Sequence, residues 1–364
     1  MKRNWLGLAL ALTGLGGCTM PSGPTTGMSL TPVSLSAIPG WDQDDQAAAL
    51  ASFVRSCAVL DVAPEDEKLG GTGIAATMAG QAGQWRAACA AGRAVIPGDQ
   101  AAARQFFNAD FAAYRIDGPV LLTGYFEPDF PASLTMRPGF SVPLYSKPND
   151  LIPGTPYLTR AQINDGALDA SAHPIAWLAN PVDAFMLQIQ GSGRLTLPDG
   201  SMVRVGFDGQ NNQPYVPIGR IMVKQGDLAA DNVSYQSISA WLKAHPTQAQ
   251  GLMNQNPRYV FFKILQGVPA HLGPPGALGV PLTPRRTIAV DSHDIPLGTP
   301  VFLATPSFDH LTIAQDVGGG INGAHAADLF AGSGPAAESL AGHLHENGAM
   351  YLLLPRPAAA TPTS

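Results

Sequence analysis

The sequence predicts a mainly β protein with an N-terminal helical segment, and three observations carry that prediction. Charged residues make up only 13% of the chain, while 40 glycines and 33 prolines exceed average usage, a balance that favours turns and short strands over long surface helices. From Asp42 to about Ala113 the chain is Ala-rich, with apolar residues at helical intervals. From "GPVLLTGYFEP" onward the texture changes to short apolar or β-branched runs broken by Pro and Gly. At 364 residues the chain exceeds the usual single domain, so two domains, or one domain with a large insertion, are expected.

Taken in order, "MKRNWLGLALALTGLGGCTM" has a basic start (Lys2, Arg3) and an apolar stretch from Trp5 to Leu15 that is short for a bilayer span. It reads as an export signal over residues 1–18. Its end, Leu15-Gly16-Gly17-Cys18, resembles the bacterial lipobox, in which the cysteine thiol receives the lipid; Thr19 after it points to the outer membrane. An ordinary secretory signal is the alternative. Residues 19–40, rich in Pro, Gly, Ser and Thr, are expected to form a flexible tether.

Three helices are expected around "DQAAALASFVRSCAVL", "AGQWRAACAAG" and "DQAAARQFFNADF", with Asp42 and Asp99 as N-caps. Strands follow in "SVPLYSKP", "AFMLQIQGSGRLTLPDGSMVRVGF" and "RRTIAVDSHDIPLGTPVFL". The clearest hairpin turns at Pro198-Asp199-Gly200. A helical patch returns near "SYQSISAWLKAHPTQAQ", with Ile238, Trp241 and Leu242 on one face. No repeat of solenoid or propeller period occurs.

Several function classes can be set aside. A net charge of -6 gives no reason to expect nucleic acid as a partner. Gly318, Gly320 and Gly323 fit G-x-G-x-x-G, but the alternating strands and helices of a dinucleotide site are missing. No G-x-S-x-G occurs. His343 and His345 lack a third ligand at zinc spacing, so no metal and no cofactor are expected. With Cys18 assigned to lipid, Cys57 and Cys89 remain for a disulfide in an oxidising compartment, two buried thiols being the alternative.

The chemistry concentrates in the C-terminal third, where Asp291, Asp316 and Asp328 stand at the edges of apolar runs. Asp291 and Asp328 are equally readable as turn-capping residues. Asp316 differs: Ile313, Ala314 and Val317 would desolvate it and raise its pKa, keeping a protonated fraction for general-acid work. Gly318, Gly319 and Gly320 remove side chains beside it, so a bulky substrate can approach the backbone. His293 and His325 lie near the aspartates and serve equally well in turns. Tyr125 and Phe126 offer rings for sugar faces, core packing being the alternative for both, and Glu127, Gln188, Gln190, Ser192 and Arg194 offer hydrogen bonds to hydroxyl and acetamido groups. Strand alternation in "MLQIQGSGR" would put Gln188 and Gln190 on one polar face.

These pieces resemble the membrane-bound lytic murein transglycosylase A family. The resemblance rests on "LTGYFEP", "PLYSKP", "MLQIQGSGRLTLPDGSMVRVGFDGQNNQPYVPIGR", "NPRYVFFK", and the three-aspartate segment from "IAVDSHDIPLGTPVFL" through "QDVGGGINGAHAADLFAGSGPAAESLAG", over about residues 110–355. It implies a double-psi β-barrel with an inserted second β domain. The barrel would use residues 41–130, with the N-terminal helices, and 263–355; the insert would span 131–262, and 356–364 would be a tail. The substrate groove would lie between the domains, with Gly318 and Gly319 on its floor. Asp316 maps to the sole catalytic acid and Asp291 and Asp328 to its companions, so Glu127 should not be a second catalytic carboxylate. The Ala-rich front with Cys57 and Cys89 and the short connections near 265–280 depart from the better-known members.

The resemblance also implies a reaction. Protonated Asp316 would give its proton to the oxygen between N-acetylmuramic acid and N-acetylglucosamine, and its carboxylate would then accept the proton of the C6 hydroxyl that closes a 1,6-anhydro product. The expected partners are peptidoglycan glycan strands and, through the lipid, the outer membrane, with the chain a monomer. The rival expectations are a hydrolase, with Glu127 or Asp328 activating water, and a non-catalytic expansin-like wall binder.

Overall fold

The computed structural model describes residues 28–168 and 171–356. The expected lipidation site, Cys18, and the export signal lie outside them. The chain opens with β1 (Leu30–Val33), which pairs antiparallel with a later strand, and Ile38 and Trp41 are buried against the core. The flexible tether expected to reach residue 40 is therefore corrected from Leu30 onward. Leu30 and Val33 pack on the core, and the strand's edge position tolerates Pro32.

Four helices follow rather than three: α1 (Gln46–Leu60), α2 (Gly73–Ala79), α3 (Arg86–Ala94) and α4 (Gln100–Asp110). The N-cap of α1 is Asp45, whose carboxylate accepts from the Ala48 N–H, not Asp42; Asp99 caps α4 as expected. Cys57 on α1 and Cys89 on α3 are joined by a disulfide. Phe53, Trp85, Phe106, Phe107 and Phe111 interlock between these helices and the sheet.

The chain then runs β2 (Phe111–Ile116), β3 (Val120–Glu127), β4 (Asp129–Ser133), β5 (Val142–Tyr145), α5 (Arg160–Asn164), β6 (Pro174–Leu178), α6 (Pro181–Gln190), β7 (Ser192–Thr196) and β8 (Met202–Gln210). Next come α7 (Ile218–Gln225), α8 (Tyr235–Ala244), α9 (Pro246–Asn254) and β9 (Val260–Leu265). The last third holds β10 (Thr287–Val290), β11 (Pro300–Ala304), β12 (Asp309–Val317), β13 (Ala326–Ser333), α10 (Pro335–His343) and β14 (His345–Pro355).

Two sheets result. In the first, β3, β14, β11, β12, β10 and β13 close on themselves, because β3 pairs with both β14 and β13. This is the expected barrel, with parallel pairs β10–β12 and β3–β13. Strands β2 and β1 extend from β14. The second sheet, in the order β5-β6-β4-β7-β8-β9, is built from the intervening segment and carries its own core around Phe185, Leu187, Leu195 and Phe262. The hairpin β7–β8 turns through Leu197–Ser201 as its Pro-Asp-Gly predicts.

Behind β12, Gln315 is fully buried and locks the strand to α1. Its amide nitrogen donates to the Ser52 carbonyl (2.9 Å) and to Ser56 Oγ (2.8 Å), and its oxygen accepts from Ser52 Oγ (3.2 Å) and Thr287 Oγ1 (2.5 Å). Gln315 is the extra residue of a β-bulge opposite Ile288 and Ala289, and while it is clamped to α1 the Asp316 side chain faces Tyr125 and Ala277 instead.

Candidate active site

The barrel register brings the aspartates together. Ala289 of β10 is level with Asp316 of β12 on one side and with Asp328 of β13 on the other, and Asp328 is level with Thr123 of β3. Residues opposite one another on paired strands share a face, so these four form one row. The small Ala289 on the strand between them puts no bulky side chain between the two carboxyl groups.

Asp316 is partly exposed and accepts three hydrogen bonds: from Tyr125 Oη (2.7 Å) to Oδ2, and from the Ala277 and Val317 N–H groups (3.0 and 2.9 Å) to Oδ1. Gly276 lets the loop carrying Ala277 lie against β12, since a Cβ there would strike the Gln315 carbonyl. Burial raises the Asp316 pKa, and the three donors oppose the rise without cancelling it. Asp328 accepts from Thr123 Oγ1 (2.8 Å) and is pushed up to about 7, by burial first and by the Asp316 charge as well, with Thr123 opposing. Tyr125 packs on Phe330 (5.3 Å between rings), and burial and the facing carboxylates hold its hydroxyl protonated.

Past Asp316 the glycines form an open shelf, on which Gly319 and Gly320 are exposed. The second domain borders this shelf. A Cβ on Gly319 would run into the Arg258 guanidinium, and one on Gly320 would meet the Tyr215 ring at 3.4 Å. The Nε of Arg258 donates to the Gln213 carbonyl (2.9 Å), which holds its guanidinium beside the shelf. Neither Arg258 nor Tyr215 was singled out as a candidate from the sequence. The polar stretch "GQNNQPY", which ends in Tyr215, and the piece "NPRYVFFK", which contains Arg258, were the local signals. Asp291 organises the near rim, accepting from the N–H groups of His293 (3.0 Å) and Gly323 (2.7 Å). His325 bonds the Asp117 carbonyl in a turn (2.9 Å).

The remaining predicted sugar contacts do not converge on Asp316. Gln188 and Gln190 lie on a helix, not a strand, so they diverge instead of sharing a face. Asn180 as N-cap, Pro181 in the first turn and Gly191 in the left-handed C-cap are the signals that decide for helix. Gln190 accepts from the Phe126 N–H (3.0 Å), while Gln188 is buried in the second domain. Phe126 is core, edge-on to Tyr235. Ser192 is buried. Glu127 is sealed at 0% exposure between Arg194 Nε (3.1 Å) and Arg204 Nε (2.8 Å). Burial raises its pKa and the two guanidiniums oppose. A carboxylate so enclosed cannot reach a sugar, and Arg194 is committed to it.

No cluster of three or more His, Cys, Asp or Glu side chains suited to a metal ion occurs among the described residues, and none of their helices is long and apolar enough to cross a membrane.

Residues 121–263 match the MltA specific insert domain, and residues 286–354 match the 3D domain. The membrane-bound lytic murein transglycosylase A of Escherichia coli K12 is 32% identical over 257 residues, which cover 66% of this chain and 67% of that protein. The chain spans about two thirds of the length of the curated relatives it matches. Among solved structures, a membrane-bound lytic murein transglycosylase from Agrobacterium tumefaciens superposes with a TM-score of 0.81 at 29% identity, over 90% of this chain and 98% of that one. Escherichia coli MltA with bound chitohexaose superposes with a TM-score of 0.65 at 26% identity, over 92% and 96%. A six-stranded barrel with an inserted second sheet and this order of motifs has one consistent assignment: the chain belongs to the membrane-bound lytic murein transglycosylase A family.

Proposed function

We propose that the protein is a lytic transglycosylase that cleaves the β-1,4 bond between N-acetylmuramic acid and N-acetylglucosamine in peptidoglycan, with Asp316 as its single acid and base. One observation carries the proposal: a desolvated carboxyl with a raised pKa stands at a glycine shelf bordered by Arg258 and Tyr215 of the second domain, and Glu127, the other candidate acid, is sealed in ion pairs. The named activity of the relatives and the chitohexaose bound to one of them support the same substrate class.

Asp316 donates its proton to the glycosidic oxygen as the C1–oxygen bond breaks and an oxocarbenium-like centre develops. Tyr125 and the N–H groups of Ala277 and Val317 stabilise the carboxylate that remains. The muramoyl C6 hydroxyl then attacks C1, and its proton returns to Asp316. Water is not consumed. A hydrolase would need a second, ionised carboxylate to activate water. Asp328, pushed up to about 7, is largely protonated below neutrality, which disfavours it in that role. Asp291 spends its carboxylate on two backbone N–H groups. We also infer an outer-membrane lipid anchor at Cys18, facing the periplasm.

Asp316→Asn is expected to keep the fold and chitohexaose binding but to lose at least about 10²-fold in sacculus solubilisation. Mass spectrometry of wild-type products should find 1,6-anhydro ends. Products heavier by one water, or an active Asp316→Asn variant, would overturn the assignment.

A further inference from the structure

The second domain holds a cavity of about 360 Å³ between β5, α5, α6 and α9, whose lining includes none of the shelf glycines. Arg160, Gln188, Tyr145, Tyr259, Phe185 and Asn164 are among its lining residues. Two of these side chains are left incompletely matched by the protein.

Arg160 is 3% exposed, and its guanidinium sits 4.7 Å from the Phe185 ring centroid and 5.3 Å from that of Tyr259. Its Nε donates to the Asn256 carbonyl (2.9 Å) and one Nη donates to the Arg258 carbonyl; the other Nη has no protein acceptor among the described residues. No carboxylate pairs with it among the described residues. Burial lowers its pKa to about 10, so it stays charged at neutral pH. A buried cation without a counter-ion is costly in a folded chain. Gln188 is 6% exposed, and its Oε1 is buried without a donor. A buried acceptor left unpaired is likewise unfavourable, and each such group calls for an account.

Together the two groups define a complementary ligand. The guanidinium calls for an anion, and the amide oxygen calls for an N–H donor beside it. A carboxylate one carbon from an amide N–H, the last residue of a peptide, has both. The cavity is at the small end of ligand pockets, enough for one or two residues and too small for a glycan strand.

We propose that this cavity binds the free carboxylate end of a short peptide. Naming the peptide stems of peptidoglycan as its source rests on the proposed function; the binding itself does not. Calorimetric titration with N-acetyl-alanyl-alanine in both stereochemical forms, and with the corresponding methyl esters, tests it. At least one acid should bind saturably and its ester at least tenfold more weakly. Arg160→Gln should abolish binding, and Gln188→Leu should weaken it several-fold. Should Arg160→Gln fail to fold, Gln188→Leu decides, since it removes the unpaired acceptor, together with the amide group beside the Tyr259 hydroxyl, and leaves Arg160 in place. Asp316→Asn should bind the acid as wild type does, and saturating chitohexaose should not displace it, so loss of the glycan reading would leave this result standing. No binding of either acid, equal binding of acid and ester, undiminished binding by Gln188→Leu, or displacement by chitohexaose would each overturn the proposal.

Discussion

Asp316 and Asp328 share one level of the barrel but not one environment. Asp316 accepts three hydrogen bonds, whereas Asp328 accepts one and lies in the field of the other carboxylate. Burial first, and the like charge nearby as well, favour the neutral form, which is why Asp328 reaches about 7. The folded state therefore binds this proton at pH values where the unfolded chain, near 4, has already released it. Stability from this group is greatest below about pH 4 and is lost as pH rises towards 7. Asp328→Asn keeps an acceptor for Thr123 and removes the charge. It should be as stable as wild type at pH 4 and more stable by on the order of 1–3 kcal/mol at pH 8. Thermal melts at both pH values check this, and a difference independent of pH would refute it. The three aspartates were legible in the sequence because apolar runs lead into Asp291 and Asp316, and Asp328 precedes Leu329 and Phe330 in an Ala-rich segment. Gln188 and Gln190 were misread because three alternating residues mimic a strand, while the capping residues that decide the matter stand at the two ends of the helix.

At the scale of the element, β12 carries two consecutive polar residues that serve opposite faces. Asp316 faces the shelf, and Gln315 fastens the strand to α1 with all its hydrogen-bonding capacity spent on Ser52, Ser56 and Thr287. Gln315→Ala leaves those partners buried and incompletely matched. It should cost roughly 2–4 kcal/mol in chemical denaturation. Activity per folded molecule should fall through kcat, because the backbone that aims Asp316 is loosened, with KM for glycan little changed; an unchanged stability would show the clamp to be idle. The helices behind this strand are tied in turn by Cys57–Cys89, which closes a separation of 32 residues. Replacing both cysteines with alanine should lower stability by about 2–4 kcal/mol in the same assay. The helices were readable from Ala-rich periodicity, but α2 was not, since seven residues of "GIAATMA" give barely two turns. The pairing of β1 was also hidden. Its residues are those of a linker, and only contact with β2 makes them a strand.

For the whole molecule the question is what holds the two sheets at a fixed separation across the shelf. Glu127 ends the barrel strand β3, and its carboxylate is gripped by Arg194 of β7 and Arg204 of β8, so the triad crosses the point where the chain leaves one domain for the other. Both arginines are largely buried, with side-chain exposures of 16% and 10%. Desolvating three charges makes the intact triad a weak source of net stability, yet deleting its anion strands two cations, which costs about 3–5 kcal/mol. Glu127→Ala should therefore unfold at markedly lower temperature. If the triad is what couples the domains, calorimetry should find one transition in the wild type and two in the variant, one for the barrel and one for the insert. A protein that melts once, at the wild-type temperature, would show that domain coupling lies elsewhere. Substrate handling follows from the same geometry. Arg258 and Tyr215 reach the shelf from the insert while Asp316 belongs to the barrel, so loosening the junction separates the two halves of the site. Glu127→Ala should accordingly raise KM for long glycans well below its melting temperature. Because Glu127 touches no part of the shelf, that rise would distinguish a hinge from a substrate ligand if Arg194→Ala, which removes one of the two ion pairs, raised KM in the same direction but less.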